Sequence, residues 1–440
     1  MPAEKEPVFR RYDPKQTLIL PPDLNEWLPP NHLARIVAQV VDNDLDLAPL
    51  VASYANEEGG RPAFHPRMLL KVVLYGYSVG VGSSRKLDKA TYEDVATRWL
   101  ATDQHPHFTT LARFRQKCLP LMDGLFHPVL ELGREVGLVK LGRVALDRTK
   151  IKASASKHKS KSYRKIVEEE QDLRAVARRI VREAEEVDTE EDRRYGPENN
   201  PYMNPLPSDW KERLKQLREA RKAIEERERK KGKPTPEAKT QYNFTDPDSR
   251  IVQESGNKGG YVQGYNCQIA VEAKSQVIVM AAVTQENPDQ QHMLPMVEEL
   301  ERELGELPAK LLLDAGYFSE AQIRAVEAKG TSVYCPPDPW RVTESSPCPR
   351  GRPPLGERFT QFMRRKVRSR RGRREYRWRK MSVEPAFGQI KQGRGLRQFL
   401  LRGKEKVGAE WKLWCLTHNL RKLHVASLGR EERKGREGPE

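Results

Sequence analysis

Apolar positions recur at helical spacing through the first third of the chain. His32 to Val41, Arg67 to Tyr77, Ser83 to Leu100 and Thr109 to Val139 each place apolar residues three or four apart, with short joins between them. Ser83 or Ser84, and Thr109 or Thr110, are candidate N-caps, because a hydroxyl there accepts from the unsatisfied amides of a first turn. Two short helices ahead of a longer one resemble a helix-turn-helix, so residues 1–140 are expected to form an all-α unit. Arg85, Lys86, Arg98, Arg113, Arg115 and Lys117 fall on these helices, a placement that suits a DNA groove and an ordinary charged surface equally.

From Gly142 the pattern changes. RVALD reads as a short apolar strand ending at Asp147, followed by the polar run KASASKHKSKSY. Residues 163–187 and 208–231 are charge-dense with sparse apolar positions, and the Pro/Asn-rich PENNPYMNPLP separates them, so an inserted helical hairpin is expected over about 155–245. Alternation returns in GYVQGYNCQIAVEAKSQVIVMAAVTQ, two β-type runs joined by a turn at EAKSQ. A helix from about Asp289 to Leu304, the strand AKLLLD ending at Asp314, a helix from Ser319 to Lys329 and the strand TSVYC follow. This order predicts a mixed α/β sheet. Residues 336–375 lack periodicity and read as a basic loop ahead of a final helical region that holds Glu384, with Glu384 at the head of a helix. In Lys404 to Leu423, Leu413, Leu416, Leu420 and Leu423 form one stripe while Val407, Trp411 and Trp414 form another, which predicts a buried helix. Residues 425–440 are expected to be a disordered tail of mixed charge.

Charge sharpens this picture. The chain has 440 residues and a formal net charge of +17, and residues 351–440 alone hold 26 Lys and Arg against 9 Asp and Glu, so the whole surplus lies there. A concentrated positive field fits a polyanion whose bound counterions are released on contact. Residues 364–380 contain eleven Lys or Arg interleaved with Tyr376 and Trp378, aromatic rings suited to stacking on an unpaired base. Five scattered cysteines without a C-x-x-C pair indicate neither a disulfide framework nor a zinc ribbon, and Cys335 and Cys348 lack a second pair. The thiols suit a reducing cytosol. No signal peptide is evident, and the apolar stretch from Met68 to Val81 is too short and interrupted to cross a bilayer. His292 and His418 fall on expected helices, where surface or core roles account for them.

The chemistry to be sought is in the acids. Asp147 and Asp314 each end an apolar strand, and Glu384 follows the basic stretch. Carboxylates on neighbouring strands and a crossing helix would offer oxygen ligands to hard divalent cations. Spacing alone does not separate them from Asp246, Asp248 and Asp289, since acids at strand ends and helix starts also serve turns and dipoles.

Several blocks, in order, resemble bacterial insertion-sequence transposases with an RNase H-like catalytic domain. They are HPRMLLKVVLYGYSVGVGSSRKLDKA and HFTTLARFRQ in the first third, then ALDRTKIKASASKHKS, DPDSRIV, GYVQGYNCQIAVEA and LLLDAGYFSE, and finally YRWRKMSVEPAFGQIKQGRGLRQFLLRG and HNLRKL. The resemblance implies an all-α, helix-turn-helix-like DNA-binding domain at 1–140, an RNase H-like DDE domain at 141–424 carrying the inserted hairpin, and the tail. It implies Asp147, Asp314 and Glu384 as the catalytic, metal-holding acids, and two Mg²⁺ or Mn²⁺ ions per site.

The family's Tyr-Arg-Glu-Lys signature falls on Tyr376, Arg379, Glu384 and Lys391. Arg379 and Lys391 are then phosphate ligands and Tyr376 orients DNA, with Arg364, Arg365, Arg373, Arg374 and Trp378 as further DNA contacts. Partners would be double-stranded transposon-end and target DNA and a second copy of the chain in the synapse, in the bacterial cytoplasm at the nucleoid. Two positions depart from the family pattern: Arg148 stands where a small residue is common, and Arg379 precedes Glu384 by five positions where four is frequent. A DNA-binding regulator without turnover, or a nuclease that does not join, are the competing readings.

The Arg379 spacing poses a geometric question. Five residues of α-helix turn Arg379 well away from Glu384, whereas the seven to Lys391 come close to two full turns. Pro385 lacks an amide hydrogen and its ring crowds the Met381 carbonyl. A helix starting at Ser382, or a π-type bulge, would restore the phase.

Overall fold

The computed structural model describes residues 23–54, 63–195, 208–253, 260–285, 293–339, 348–349 and 356–436. Asp289, His292 and the whole interhelical stretch PENNPYMNPLP lie outside the described residues, as do most of 340–355 and the last four positions.

The first third is helical, with α1 (Leu24–Trp27), α2 (Leu33–Asn43), α3 (Ala48–Ala52), α4 (Pro66–Ser78), α5 (Ser84–Glu93), α6 (Val95–Leu100), α7 (Phe108–Cys118) and α8 (Met122–Glu135). Two expected helices are each divided. Asp94 ends α5 and caps α6, its Oδ1 accepting from the Thr97 amide at 2.7 Å, and a single 3₁₀ turn at Leu119–Leu121 containing Pro120 separates α7 from α8. Ser83 does stand at the N-cap of α5, although its side chain makes no capping bond. At α7 the cap is His107, ahead of both threonines.

The sheet begins with β1 (Val144–Lys152) and continues after the insertion, which comprises β2 (Ser160–Ser162), α9 (Tyr163–Tyr195), α10 (Ser208–Lys230) and β3 (Gln241–Asn243). The insertion is a helical hairpin with its own small core of Ile166, Leu217, Ala220 and Ile224, and β2 pairs with β3 at its base. Then come β4 (Arg250–Gln253), β5 (Tyr261–Glu272), β6 (Ile278–Thr284), α11 (Met293–Leu304), β7 (Lys310–Leu312), α12 (Glu320–Ala328) and β8 (Ser332–Tyr334). Strand order is β4-β5-β1-β7-β8, with β6 also on β5; β1 is antiparallel to β5, and β7 is parallel to both β1 and β8.

Three expectations are corrected here. Strand β1 does not stop at Asp147 but runs on to Lys152, because β5 continues to pair with it as far as Lys152 opposite Gly264. The basic stretch is not a loop over 359–375: it forms α13 (Phe359–Arg368) and the start of α14 (Arg370–Gly388). Met363 and Val367, one turn apart on α13, are buried, a short apolar stripe hidden among arginines. Ser369 caps α14 by accepting from the Gly372 amide at 3.0 Å, and a Cβ at Gly372 would fall onto the Lys366 carbonyl, so the α13–α14 corner needs glycine. Last, the tail is helical as far as Arg436, because α15 (Lys404–Arg436) runs past Leu423.

Helix α15 is buried on two sides, as its stripes required. It packs on β6 and on α2, α4 and α8, and a single apolar core runs from Leu28 to Leu420 through the helical third and the sheet. Arg394, itself buried, locks this junction by donating to the Thr417 hydroxyl at 2.7 Å and to the Trp414 and Tyr77 carbonyls.

Candidate active site

The two aspartates stand at matching positions. In the parallel pair Ala145 lies opposite Leu312, and Asp147 and Asp314 each come two residues later. A two-residue step returns a side chain to the same face of a strand. Asp147 is mid-strand with respect to β5, yet β7 has already ended beside it, so its carboxylate emerges at the carboxyl end of that parallel pair. Asp314 is fixed by capping a single 3₁₀ turn, accepting from the Gly316 amide at 2.8 Å, while the Cys335 thiol donates to its carbonyl oxygen at 3.1 Å.

Helix α14 lies across this face. Arg379 donates from Nη2 to Asp147 Oδ2 at 2.8 Å and stands 3.7 Å from Asp314 Oδ2, so one guanidinium bridges both acids. Asp147 also accepts from the Arg148 amide at 2.8 Å. Burial pushes the Asp147 carboxyl up to about 6, against the opposing pull of Arg379 and the Arg148 amide and with the Asp314 and Glu384 charges adding to the rise. Burial works against the Arg379 charge, but the surrounding anionic groups outweigh it and raise its pKa.

Glu384 lies near the C-terminal end of α14, not at the head of a helix, and is exposed on its rim. It is close enough to act electrostatically on both Asp147 and Arg379. Among the described residues no three acidic, histidine or cysteine side chains form a ready-made metal cage. The pair Asp147 and Asp314 nonetheless converges on one cation, the guanidinium, and two hard oxygen donors sharing a positive charge fit a divalent ion.

The spacing question resolves differently from either expected option. Helix α14 passes straight through Ser382 and Pro385, and the π-type segment lies beyond Glu384, at Gln389–Gly393. The Met381 carbonyl left without its helical donor by Pro385 accepts from Gln276 Nε2 at 3.1 Å, which offsets the hydrogen bond that the proline removes. Arg379 needs no phase correction because the acids it meets are on strands beneath the helix. Lys391, within the π segment, donates to the Thr149 hydroxyl at 2.9 Å, two residues past Asp147 on the same strand face; burial lowers its pKa. Tyr376 is partly buried, and burial raises the pKa of its phenol, with the field of Arg379 opposing.

The remaining expected DNA contacts are not gathered at the acids. Arg364 pairs with Asp338 at 2.6 Å, Arg365 with Glu357 at 3.3 Å, and Arg373 donates to the Arg368 carbonyl, whereas Arg374 is exposed. Trp378 is partly buried with Arg143 over its ring at 5.9 Å. In the first third, Arg98 pairs with Asp103, Arg115 donates to the Tyr77 hydroxyl and Gly82 carbonyl, Arg85 lies over Phe108 and Lys117 over Tyr54, while Lys86 and Arg113 are exposed. Of the competing acids, buried Asp246 accepts from the Tyr265 hydroxyl and the Gly403 amide, and Asp248 accepts from Gln285 and the Lys404 amide. Both are structural.

Against this geometry the comparisons are specific. Residues 22–117 match the family described as a transposase domain (DUF772), and residues 354–424 match a transposase DDE domain. Both segments are thus similar to transposase families, one at each end of the chain. No curated protein and no solved structure matches it. The second matched segment contains Tyr376, Arg379 and Glu384 of α14, the helix that brings charge to the two strand acids, and Lys391 of the π segment after it.

Sequence reasoning missed one group near this site. Glu375 is buried and accepts from Arg143 Nε at 2.5 Å and from Lys310 Nζ at 2.8 Å. The Arg143 hydrogen bond, opposed by burial and helped by Lys310, holds its carboxyl down at about 2. A signal was present: each basic partner lies four residues before one of the strand acids.

Proposed function

We propose that this protein is a transposase that cuts DNA at the ends of its element and joins the freed 3′-hydroxyls to target DNA, with Asp147, Asp314 and Glu384 as the metal-holding acids. The observation that carries the reading is the pair of in-register aspartates sharing one cation. The strand order, with β4, β6 and β1 each antiparallel to β5 and with β7 and β8 continuing parallel from β1, supports an RNase H-like catalytic domain. Two Mg²⁺ or Mn²⁺ ions, when bound, would activate the attacking oxygen and stabilise the leaving one.

The chain's own residues do the rest. Asp147 and Asp314 present oxygens from a rigid sheet, and Arg379 offsets part of their charge, a role that a bound divalent ion would take over. Released, its planar fork suits a DNA phosphate. Lys391 adds a second positive group beside β1, and Tyr376 supports the DNA near the acids. The helices of 1–140 read the transposon end, through exposed residues such as Lys86 and Arg113, and a second copy of the chain completes the synapse at the nucleoid. No described helix is long and apolar enough to cross a membrane.

A strand-transfer assay with a labelled duplex carrying the sequence that flanks the gene, with Mg²⁺ or with a chelator, tests this. Joined product only with the metal is expected. Cleaved but never joined ends would indicate a nuclease, and neither product a DNA-binding regulator.

A further inference from the structure

Six charged groups connect three elements at two levels. At the upper level Arg379 of α14 bridges Asp147 of β1 and Asp314, which follows β7. At the lower level Glu375 of α14 bridges Arg143, just before β1, and Lys310, the first residue of β7. Each lower residue precedes its upper counterpart by four positions: 143 and 147, 310 and 314, 375 and 379. Val144 lies opposite Leu311, so Arg143 and Lys310 are level with each other as the aspartates are.

We infer that Glu375 is a positioning residue of the active site, the lower half of a two-level clamp that fixes helix α14 in height and rotation against β1 and β7. The inference rests on the functional reading above for its catalytic consequence, not for its structural one.

Four residues rise ~13 Å along a strand but only ~6 Å along a helix. A single bridge at Arg379 would tie the charged face at one point and leave freedom in the angle at which the helix crosses the strands, limited only by the packing of Val383 and Ala386 and by the Gln276 contact with Met381. The second bridge, of opposite sign, removes that freedom: the helix contributes the anion below and the cation above. A helix shifted one turn towards the upper level would set Glu375 against Asp147, and one turn the other way would set Arg379 against Arg143, like charge on like in either case, so the alternation rejects the wrong register as well as holding the right one. Glu384, farther along the same helix, inherits its placement from this clamp.

Glu375→Gln keeps the shape and removes the charge, and Lys310→Gln releases the β7 arm alone, a milder change should the first variant fail to fold. Hydrogen exchange on the full chain should show the amides of 376–388 exchanging about tenfold faster in either variant, while α15 between Trp411 and Leu420 stays protected. With Mg²⁺ and the end duplex, single-turnover cleavage should fall about 100-fold for Glu375→Gln. DNA affinity should stay within about threefold, since phosphate contacts made elsewhere are untouched. Unchanged exchange at 376–388, equal acceleration in α8, α14 and α15, or cleavage within about threefold of wild type would overturn the clamp. Absence of cleavage by the wild-type protein would instead count against the functional reading, and the exchange pattern would then decide the clamp by itself.

Discussion

Arg379 links the chemistry of the site to its stability. Asp147 is nearly buried, its side chain 13% exposed, and the guanidinium is the cation paired with it. Removing one partner of such a pair costs about 3–5 kcal/mol, so Arg379→Gln should lower the unfolding temperature markedly without metal. Added Mg²⁺ should restore much of that loss if the aspartates take a divalent ion in its place; thermal unfolding with and without Mg²⁺ checks this, and an equal deficit in both would show that Arg379 does not stand in for a metal.

His418 contributes a pH dependence of its own, opposite in sign to that of the raised Asp147 carboxyl. Its ring is buried, with Nε2 2.9 Å from the Gln276 carbonyl oxygen, and burial, with Arg394 adding to it, lowers its pKa to about 3. Unfolded, the ring would titrate near its ordinary value. Between those two values the unfolded state binds the extra proton, so stability is fully present above ~6.5 and falls with acidification by up to about 1.4 kcal/mol per pH unit. His418→Gln should flatten this slope in thermal unfolding followed from pH 7 to pH 5; a slope as steep as that of the wild type would contradict it.

Single residues were unevenly legible. Asp147 and Asp314 stood out because each follows an apolar run, whereas Glu375 sits among arginines and its partners are more than 60 residues away in sequence. Long-range ion pairs leave no periodicity to read.

Helix α14 carries the clearest lesson about elements. The sequence marked Pro385 as a break, and no local rule could foresee that Gln276, in the β5–β6 turn, would satisfy the Met381 carbonyl. Gln276 also accepts from Lys422 at 2.8 Å, and its main-chain oxygen meets His418, so one turn residue holds α14 and α15 together. The alternating strands were legible because half-buried β-structure has period two, and the helical hairpin because its charged segments are long. The start of α14 and α13 were not, since two buried residues in ten gave too faint a stripe.

The same elements separate two kinds of arginine. Arg370, Arg371 and Arg374 are exposed, whereas Arg364 and Arg365 already face Asp338 and Glu357. Neutralising an arginine that meets phosphate should reduce the slope of log affinity against log salt by about 0.9. The three exposed residues together should therefore flatten the slope much more than Arg364 and Arg365 do. DNA titrations across a salt series test this, and an unchanged slope in the triple variant would reduce the basic run to a solvated surface.

At the scale of the molecule, α15 joins what the sequence presents as separate stretches. Trp411 is fully buried and donates to the Gln268 carbonyl at 3.1 Å, and Trp414 packs against Tyr77 of α4. Trp411→Ala should cost about 3–5 kcal/mol, read from denaturant unfolding as a lower midpoint. Because one apolar core spans the helical third and the sheet, tryptophan emission and the helical signal should fall together, and two separated transitions would contradict that continuity.

The central claim is that three carboxylates carry the reaction while contacts elsewhere hold the DNA. Its most direct measurement is single-turnover cleavage of the end duplex in Mg²⁺ by Asp147→Ala, Asp314→Ala and Glu384→Ala, with DNA affinity determined on the same preparations. Each variant should lose cleavage by about 1,000-fold or more while binding DNA within about threefold of wild type; cleavage at the wild-type rate by any one of them would contradict the assignment.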